Sequence, residues 1–293
     1  MSFTPLHSLG ENAVLSKLLS KISPDAAPLL VGPGDDCAVV PRNEHWDTLL
    51  KTDVVVENVH FTPDTQPRLI GRKALARAVS DIAAMGGIPE YALITLLVHP
   101  QRPVELLEGI YEGLSELAHQ FGISVAGGET SSLPYDGLVI NVALTGRVER
   151  NKAILRSGGR PGDIICVSGP LGGSFPSDHH LLFTPRVDLA RKLQQSPYCP
   201  TAMMDLSDGL AADLPRLAAA SGCGFVLTPE SLPCNPGCSI EQALNDGEDY
   251  ELLFTIAAEH LAAMSDFGIF PIGKLTVDFK RNTLCGGWQH FSA

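Results

Sequence analysis

Met203-Met204-Asp205-Leu206-Ser207-Asp208-Gly209-Leu210 sets two carboxylates and a hydroxyl between an apolar run and a glycine. The residues before Asp205 read as an apolar strand that ends in acid, and Ser207 or Asp208 can cap a following helix. Acid of that density at the end of a hydrophobic segment suits a cation. The design recurs in Gly34-Asp35-Asp36, Thr52-Asp53, Ser80-Asp81, Gly127-Gly128-Glu129-Thr130 and Gly247-Glu248-Asp249-Tyr250. Carboxylates beside glycines and hydroxyls are ligands for a hard cation such as Mg2+, which takes oxygen donors and keeps some water. Mg2+ sites of this kind usually hold a polyphosphate, so the pattern points to phosphoryl chemistry.

The 293 residues, 44% of them hydrophobic, suffice for one large domain or two ordinary ones. A net charge of -12 repels nucleic acid and anionic membrane, so neither is an expected partner. An anionic substrate would need metal ions to screen it from so acidic a protein. The start lacks the basic-then-apolar pattern of a secretory signal, and the longest apolar stretch, Tyr91 to Val98, is far short of a membrane span. Cys37, Cys166 and Cys223 read as small core residues. Cys234 and Cys238 lack a second ligand pair, which argues against zinc. A reduced, cytoplasmic compartment is expected.

Strand-like runs lie at Cys37–Val40, Thr48–Glu57, Tyr91–Val98, Ser124–Ala126, Leu138–Val148 and Asp163–Val167, and later around Phe225 and Glu251–Ile256. A helix over Arg68–Met85 ends at Gly86-Gly87. A second, Pro103–Phe121, aligns Val104, Leu107, Tyr111, Leu114, Ala118 and Phe121 on one face. Pro215 is awkward inside a helix that starts near Ser207, so the helix through Leu214–Ala220 is expected to begin at Asp213. The glycine-rich Arg156–Asp163 marks a boundary, with domains at 1–150 and 151–293, of α/β and α+β type.

Each acid also has a plainer explanation. Asp81 shares the apolar stripe of its helix and could pair with Arg72 or Arg77. Asp35-Asp36 could belong to an ordinary turn, and Glu248-Asp249 to a rim salt bridge. Gly169–Ser174 could turn its backbone toward phosphate, though a plain turn is the simpler reading. Thr52-Asp53 interrupts an otherwise apolar strand and is harder to dismiss. Six such sites, nearly all at element ends, favour one shared site. The lysine motif of Walker-type loops and the protein-kinase signatures are missing.

With those residues in view, the chain resembles the thiamine-monophosphate kinase family of the aminoimidazole ribonucleotide synthetase superfamily. The likeness runs colinearly through Gly34-Asp35-Asp36-Cys37-Ala38, Thr52-Asp53, His60-Phe61, Lys73–Ala76, Ser80–Gly86, Gly127-Gly128, Arg156-Ser157-Gly158, Asp205–Leu210, Gly247–Leu252 and the terminal Trp288-Gln289-His290-Phe291. It implies a two-domain aminoimidazole ribonucleotide synthetase-like fold, with the N-terminal sheet shared across a homodimer. It implies transfer of the γ-phosphoryl group of ATP to thiamine monophosphate, without a general base. Asp36, Thr52, Asp53, Asp81, Asp205 and Asp208 would hold Mg2+, with Glu129 standing where the family has aspartate. Gly128, Glu129, Arg156, Ser207 and Tyr111 would contact ATP, and His60, Glu248 and Trp288 thiamine monophosphate. Three positions depart from the family: Lys51 replaces a hydroxyl residue before Thr52, Glu129 replaces aspartate, and Gly173 replaces an aspartate after Gly172. A selenophosphate-synthetase-like or hydrogenase-maturation-like relative, or a catalytically weak sensor, are the alternatives.

Overall fold

The computed structural model describes residues 5–22, 27–279, 284 and 286–288, so Gln289, His290 and Phe291 of the terminal motif lie outside it. After α1 (Glu11–Leu19) come β1 (Ala38–Pro41), β2 (Trp46–Val56), α2 (Pro67–Ala84), β3 (Ile88–Val98), α3 (Val104–Phe121), β4 (Ser124–Ser132) and β5 (Leu138–Glu149). Then follow β6 (Ile164–Val167), α4 (His179–Leu182), α5 (Val187–Gln195), β7 (Ala202–Asp205), α6 (Leu210–Ala220), β8 (Gly224–Leu227), α7 (Ile240–Asn245), β9 (Leu252–Ile256) and β10 (Phe270–Thr276). They form two five-stranded sheets, β1-β2-β5-β3-β4 and β7-β9-β6-β10-β8. Only β3 and β4 pair in parallel, across α3, among the described strands. No helix among the described residues is long and apolar enough to cross a membrane.

α2 is the spine. It packs on β2, β5 and α3, and also on α4, α5 and β7, so thirteen of its residues are buried. Alternation along β2 turns Asp47, Leu49, Lys51, Asp53 and Val55 toward α2, and Leu50, Thr52 and Val54 away from it. The face away from α2 is open: Leu50, Val54, Tyr91, Leu93 and Val125 are exposed, as is all of β4.

Several elements depart from the sequence reading. The apolar face of α3 is turned. Ile110, Leu114 and Leu117 are buried, whereas Val104 and Tyr111 are exposed. Two glycines explain this. A Cβ on Gly71 would lie 1.9 Å from the Ile110 carbonyl oxygen, and one on Gly113 1.9 Å from that of Arg68. The helices touch backbone to backbone, and that contact sets the rotation of α3. β4 runs on to Ser132, through Gly127-Gly128-Glu129. Gly128 is there because β3 passes so close that a Cβ would sit 1.8 Å from the Ile94 carbonyl oxygen. α6 begins at Leu210, not Asp213, and keeps Pro215 inside. Asp213 N already bonds Gly209 O, so the proline forfeits one later backbone bond while Leu210, Leu214 and Leu217 are buried. α5 and β10 were not expected. Val187, Ala190 and Leu193 carry the helical spacing that marks α5.

Candidate active site

Asp205 closes the fully buried β7, pairing with Leu252 of β9. Beyond it the chain wraps around one carboxylate. Asp213 Oδ2 accepts the backbone N–H groups of Ser207 and Asp208 at 3.1 and 3.0 Å. Arg216 clamps the turn, donating to Asp213 Oδ1 at 2.8 Å and to Asp208 Oδ2 at 2.5 Å. Neither Asp213 nor Arg216 was singled out from the sequence. Asp213 lies in a helix whose proline draws attention elsewhere.

Asp205 points back to α2, where Ser80 Oγ donates to its Oδ2 at 2.6 Å. Asp81 is next on α2, and Asp36 arrives from the loop before β1. Asp36, Asp81 and Asp205 are all buried and offer oxygens within 4.8 Å of one another. Burial, then Asp36, lifts Asp205 to about 6, and burial raises Asp81 well above its ordinary value while Lys51 draws it down. Asp36 Oδ2 is buried with no hydrogen-bond partner among the described residues. An all-oxygen, converging donor set with an orphaned carboxylate oxygen fits a hard divalent cation such as Mg2+.

The partner of Asp81 differs from expectation. It is Lys51, 2.6 Å away, whereas Arg77 pairs with Asp53 at 3.2 Å and Arg72 binds the carbonyls of Leu182 and Phe183. Strand alternation brings Lys51 inward, and Arg72 leaves α2 on another side. Arg156 donates to Asp36 at 2.5 Å through its side chain and to Asp35 through its backbone N–H.

A second group meets the same turn. His60, Phe175, Glu248, Tyr250 and Trp288 line a cavity with Ser207 and Asp208 at its edge. Glu248 pairs with fully buried Lys73 at 2.5 Å, in place of the rim salt bridge considered from the sequence, and Lys73 also donates to His60 O at 2.6 Å. The loop carrying Glu248 is unusual. Gly247, Glu248 and Tyr250 have φ of 70°, 54° and 51°, a left-handed backbone that is costly for the last two. Bonds from Glu248 N to Ser207 O and from Tyr250 N to Leu206 O, 2.7 and 2.8 Å, hold it against the Asp205–Asp208 turn. Trp288 N donates to Asp208 O at 2.8 Å, and its side chain is half exposed.

Other expected residues lie elsewhere on the single chain. Thr52 faces the open side of the sheet, donating to Asn141 Oδ1 at 2.9 Å. Gly128 and Glu129 lie on exposed β4, and Tyr111 borders a groove with Arg68 and Glu112. The glycine turn is occupied by the chain itself. Gly172 N–H and Ser174 Oγ donate to Asp249 Oδ1, and Gly173 N–H to Asp246 Oδ2, which matches the plain-turn reading.

Asp35, lifted to about 6 by burial and then by Asp36, behaves as Asp205 does. Between the ordinary carboxylate pKa and 6 the folded chain holds protons that the unfolded chain has released. These groups therefore favour folding most below their unfolded pKa, and that contribution is lost as pH rises through 6. A divalent cation bound to the deprotonated cluster would offset that loss. Millimolar Mg2+ is expected to raise the melting temperature clearly at about pH 7.5 and little at about pH 5. Equal gains at both pH values, read by thermal melts, would remove the cluster as the binding site.

Residues 34–148 match the family described as AIR synthase related protein, N-terminal domain. The thiamine-monophosphate kinase of Rhodopirellula baltica is 38% identical over 266 residues, covering 84% of this chain and 82% of that protein. A solved structure, AaThiL complexed with AMPPCP and TMP, superposes with a TM-score of 0.85 at 32% identity, covering 99% of this chain and all of the other. Escherichia coli HypE, at 21% identity and a TM-score of 0.67 over 92% of each chain, shares the fold alone. With identity carried along most of its length, this chain belongs to the thiamine-monophosphate kinase family, built on the AIR-synthase-related fold.

Proposed function

We propose that this chain transfers the γ-phosphoryl group of ATP to the phosphate of thiamine monophosphate, giving thiamine diphosphate and ADP. The observation that carries this reading is the meeting of the buried Asp36, Asp81, Asp205 cluster and the His60, Glu248, Trp288 cavity at one turn. A relative that holds AMPPCP and TMP together supports it. An oxygen of the acceptor phosphate forms the new bond to the γ-phosphorus, the bond to the β–γ bridging oxygen breaks, and ADP leaves with the electron pair. The acceptor oxygen is anionic at neutral pH, so no residue need take a proton. Catalysis is then positioning and charge neutralisation.

Asp36, Asp81 and Asp205 would hold Mg2+, and Asp53 and Asp208, paired with Arg77 and Arg216 in the free chain, are assigned to the same ions. Bound there, Mg2+ would supply the positive charge that lets two phosphates approach. Arg156 and Ser207 are assigned to ATP. Trp288 offers an indole face to the cationic thiazolium of thiamine, and Glu248 offers negative charge. An assay of ADP release with thiamine monophosphate, with the product identified by chromatography, tests the reading. ATP consumption that ignores thiamine monophosphate would sink it.

Trp288→Ala is expected to raise KM for thiamine monophosphate roughly five- to thirtyfold, since stacking on a cation is worth about 1–2 kcal/mol. KM for ATP should stay near the parent value. A change in melting temperature alone would mean that the indole only packs.

The reading includes domains at 1–150 and 151–293, a cytoplasmic location and a homodimer. Exposed Leu50, Val54, Tyr91, Leu93 and Val125 offer an apolar sheet face for a second copy. Thr52, Gly128 and Glu129 lie on that face or on β4 beside it, where they would meet the second copy. Light scattering tests the dimer.

A further inference from the structure

The carboxylate cluster already contains a cation. Lys51 lies mid-strand between outward-facing Leu50 and Thr52, so its side chain reaches under the sheet to α2. Its Nζ stands 2.6 Å from Asp81 Oδ1, with the two side chains 22% and 9% exposed. Asp53 is itself engaged by Arg77, and Asp36 by Arg156. Each carboxylate near Lys51 other than Asp205, which accepts from Ser80, thus has its own cation, and Asp81 has Lys51.

An ammonium has three donors and no lone pair, so it cannot ligate metal. It can only stand where a metal would otherwise stand. A divalent ion on Asp81 Oδ1 would have to displace it, against like-charge repulsion in a poorly hydrated setting. Of the three negative charges of Asp36, Asp81 and Asp205, Arg156 and Lys51 already answer two, which leaves less uncompensated charge for a further divalent ion.

We propose that Lys51 is a built-in cation at the Asp81 corner of the cluster, and that this chain holds one divalent ion fewer there than the same carboxylates would without it. The inference rests on the metal reading of the cluster given above. Mn2+ alone is the probe, with free Mn2+ followed by electron paramagnetic resonance. Lys51→Ser should bind about one more Mn2+ per chain than the parent, and Lys51→Arg should bind the parent number. A Lys51→Ser protein with the parent's count and affinity overturns the proposal. If Lys51→Ser does not fold, the parent itself decides. Crystals soaked in Mn2+ should show anomalous density against Asp36 and Asp205 and none on the Asp81 oxygen facing Lys51. Density on that oxygen overturns the proposal. A parent that binds no Mn2+ removes the metal reading along with it. An extra ion in Lys51→Ser alongside absent kinase activity keeps this inference and discards the substrate assignment.

Discussion

Asp205→Asn is expected to lower kcat/KM for phosphoryl transfer at least about a hundredfold in a chain that still folds. The change removes one negative charge from a cluster whose oxygens lie within 4.8 Å, and keeps its shape. Loss of a preorganised electrostatic group of this kind costs on the order of 3 kcal/mol of transition-state stabilisation. Asparagine can still accept the Ser80 hydroxyl and end β7 as aspartate does. Burial and Asp36 already press Asp205 toward its neutral form, so at neutral pH without Mg2+ the variant should melt no lower than the parent. It should also lose much of the stabilisation that Mg2+ gives the parent. Steady-state kinetics with melts in both conditions separate a metal role from a packing role. Turnover like the parent's would remove the cluster from the chemistry.

Glu248→Ala is expected to destabilise the chain by roughly 3 kcal/mol or more, beyond any effect on substrate. Lys73 is fully buried, and Glu248 is its counter-ion at 2.5 Å. Burial draws Lys73 down to about 8, against the support of Glu248. Without that carboxylate the ammonium keeps His60 O but has lost its paired charge, and it should shed its proton near neutral pH. The folded pKa is then further below the unfolded one. The penalty is largest while the unfolded lysine is still protonated and fades as pH rises toward that unfolded pKa. The stability gap from the parent should accordingly shrink between about pH 7 and about pH 10. Adding Lys73→Met removes the orphaned charge, so the double variant should recover much of the lost stability while thiamine monophosphate binding stays weak. A single variant that melts with the parent would show that the pair does not support the fold.

Both predictions depend on partners that lie far away in sequence. The acids could be found from sequence because carboxylates are costly next to apolar runs. Asp81 shares the apolar stripe of its helix, Asp205 ends an apolar strand and Asp36 stands in a glycine loop that enters a strand, and acids set against apolar residues need a ligand or a counter-ion. Their convergence depends on three separate elements: the loop before β1, the buried α2, and the end of β7. Long-range packing alone decides that meeting. The cationic partners were less legible. Lysine and arginine side chains are long, and one-dimensional spacing does not say which way they reach. Lys51 reads as a departure in the sequence, and its hold on Asp81 follows from which side of β2 faces α2. Lys73 carried no assigned role, although it is the buried support of Glu248.

The sequence by itself determined the mixed α/β class, most of the strands, the two long helices and the three acids that meet in the buried cluster. Those follow from local periodicity, glycine and proline punctuation, and the cost of charge among apolar residues. Tertiary structure decided the rotation of α3, the length of β4, the start of α6 and the pairing of every site carboxylate. Backbone contact at Gly71, Gly113 and Gly128 sets the first two, because a missing Cβ has meaning only once its neighbour is known. Strand alternation, seen against α2, separates inward Lys51 and Asp53 from outward Thr52, and no pattern within β2 says which of its two faces is covered.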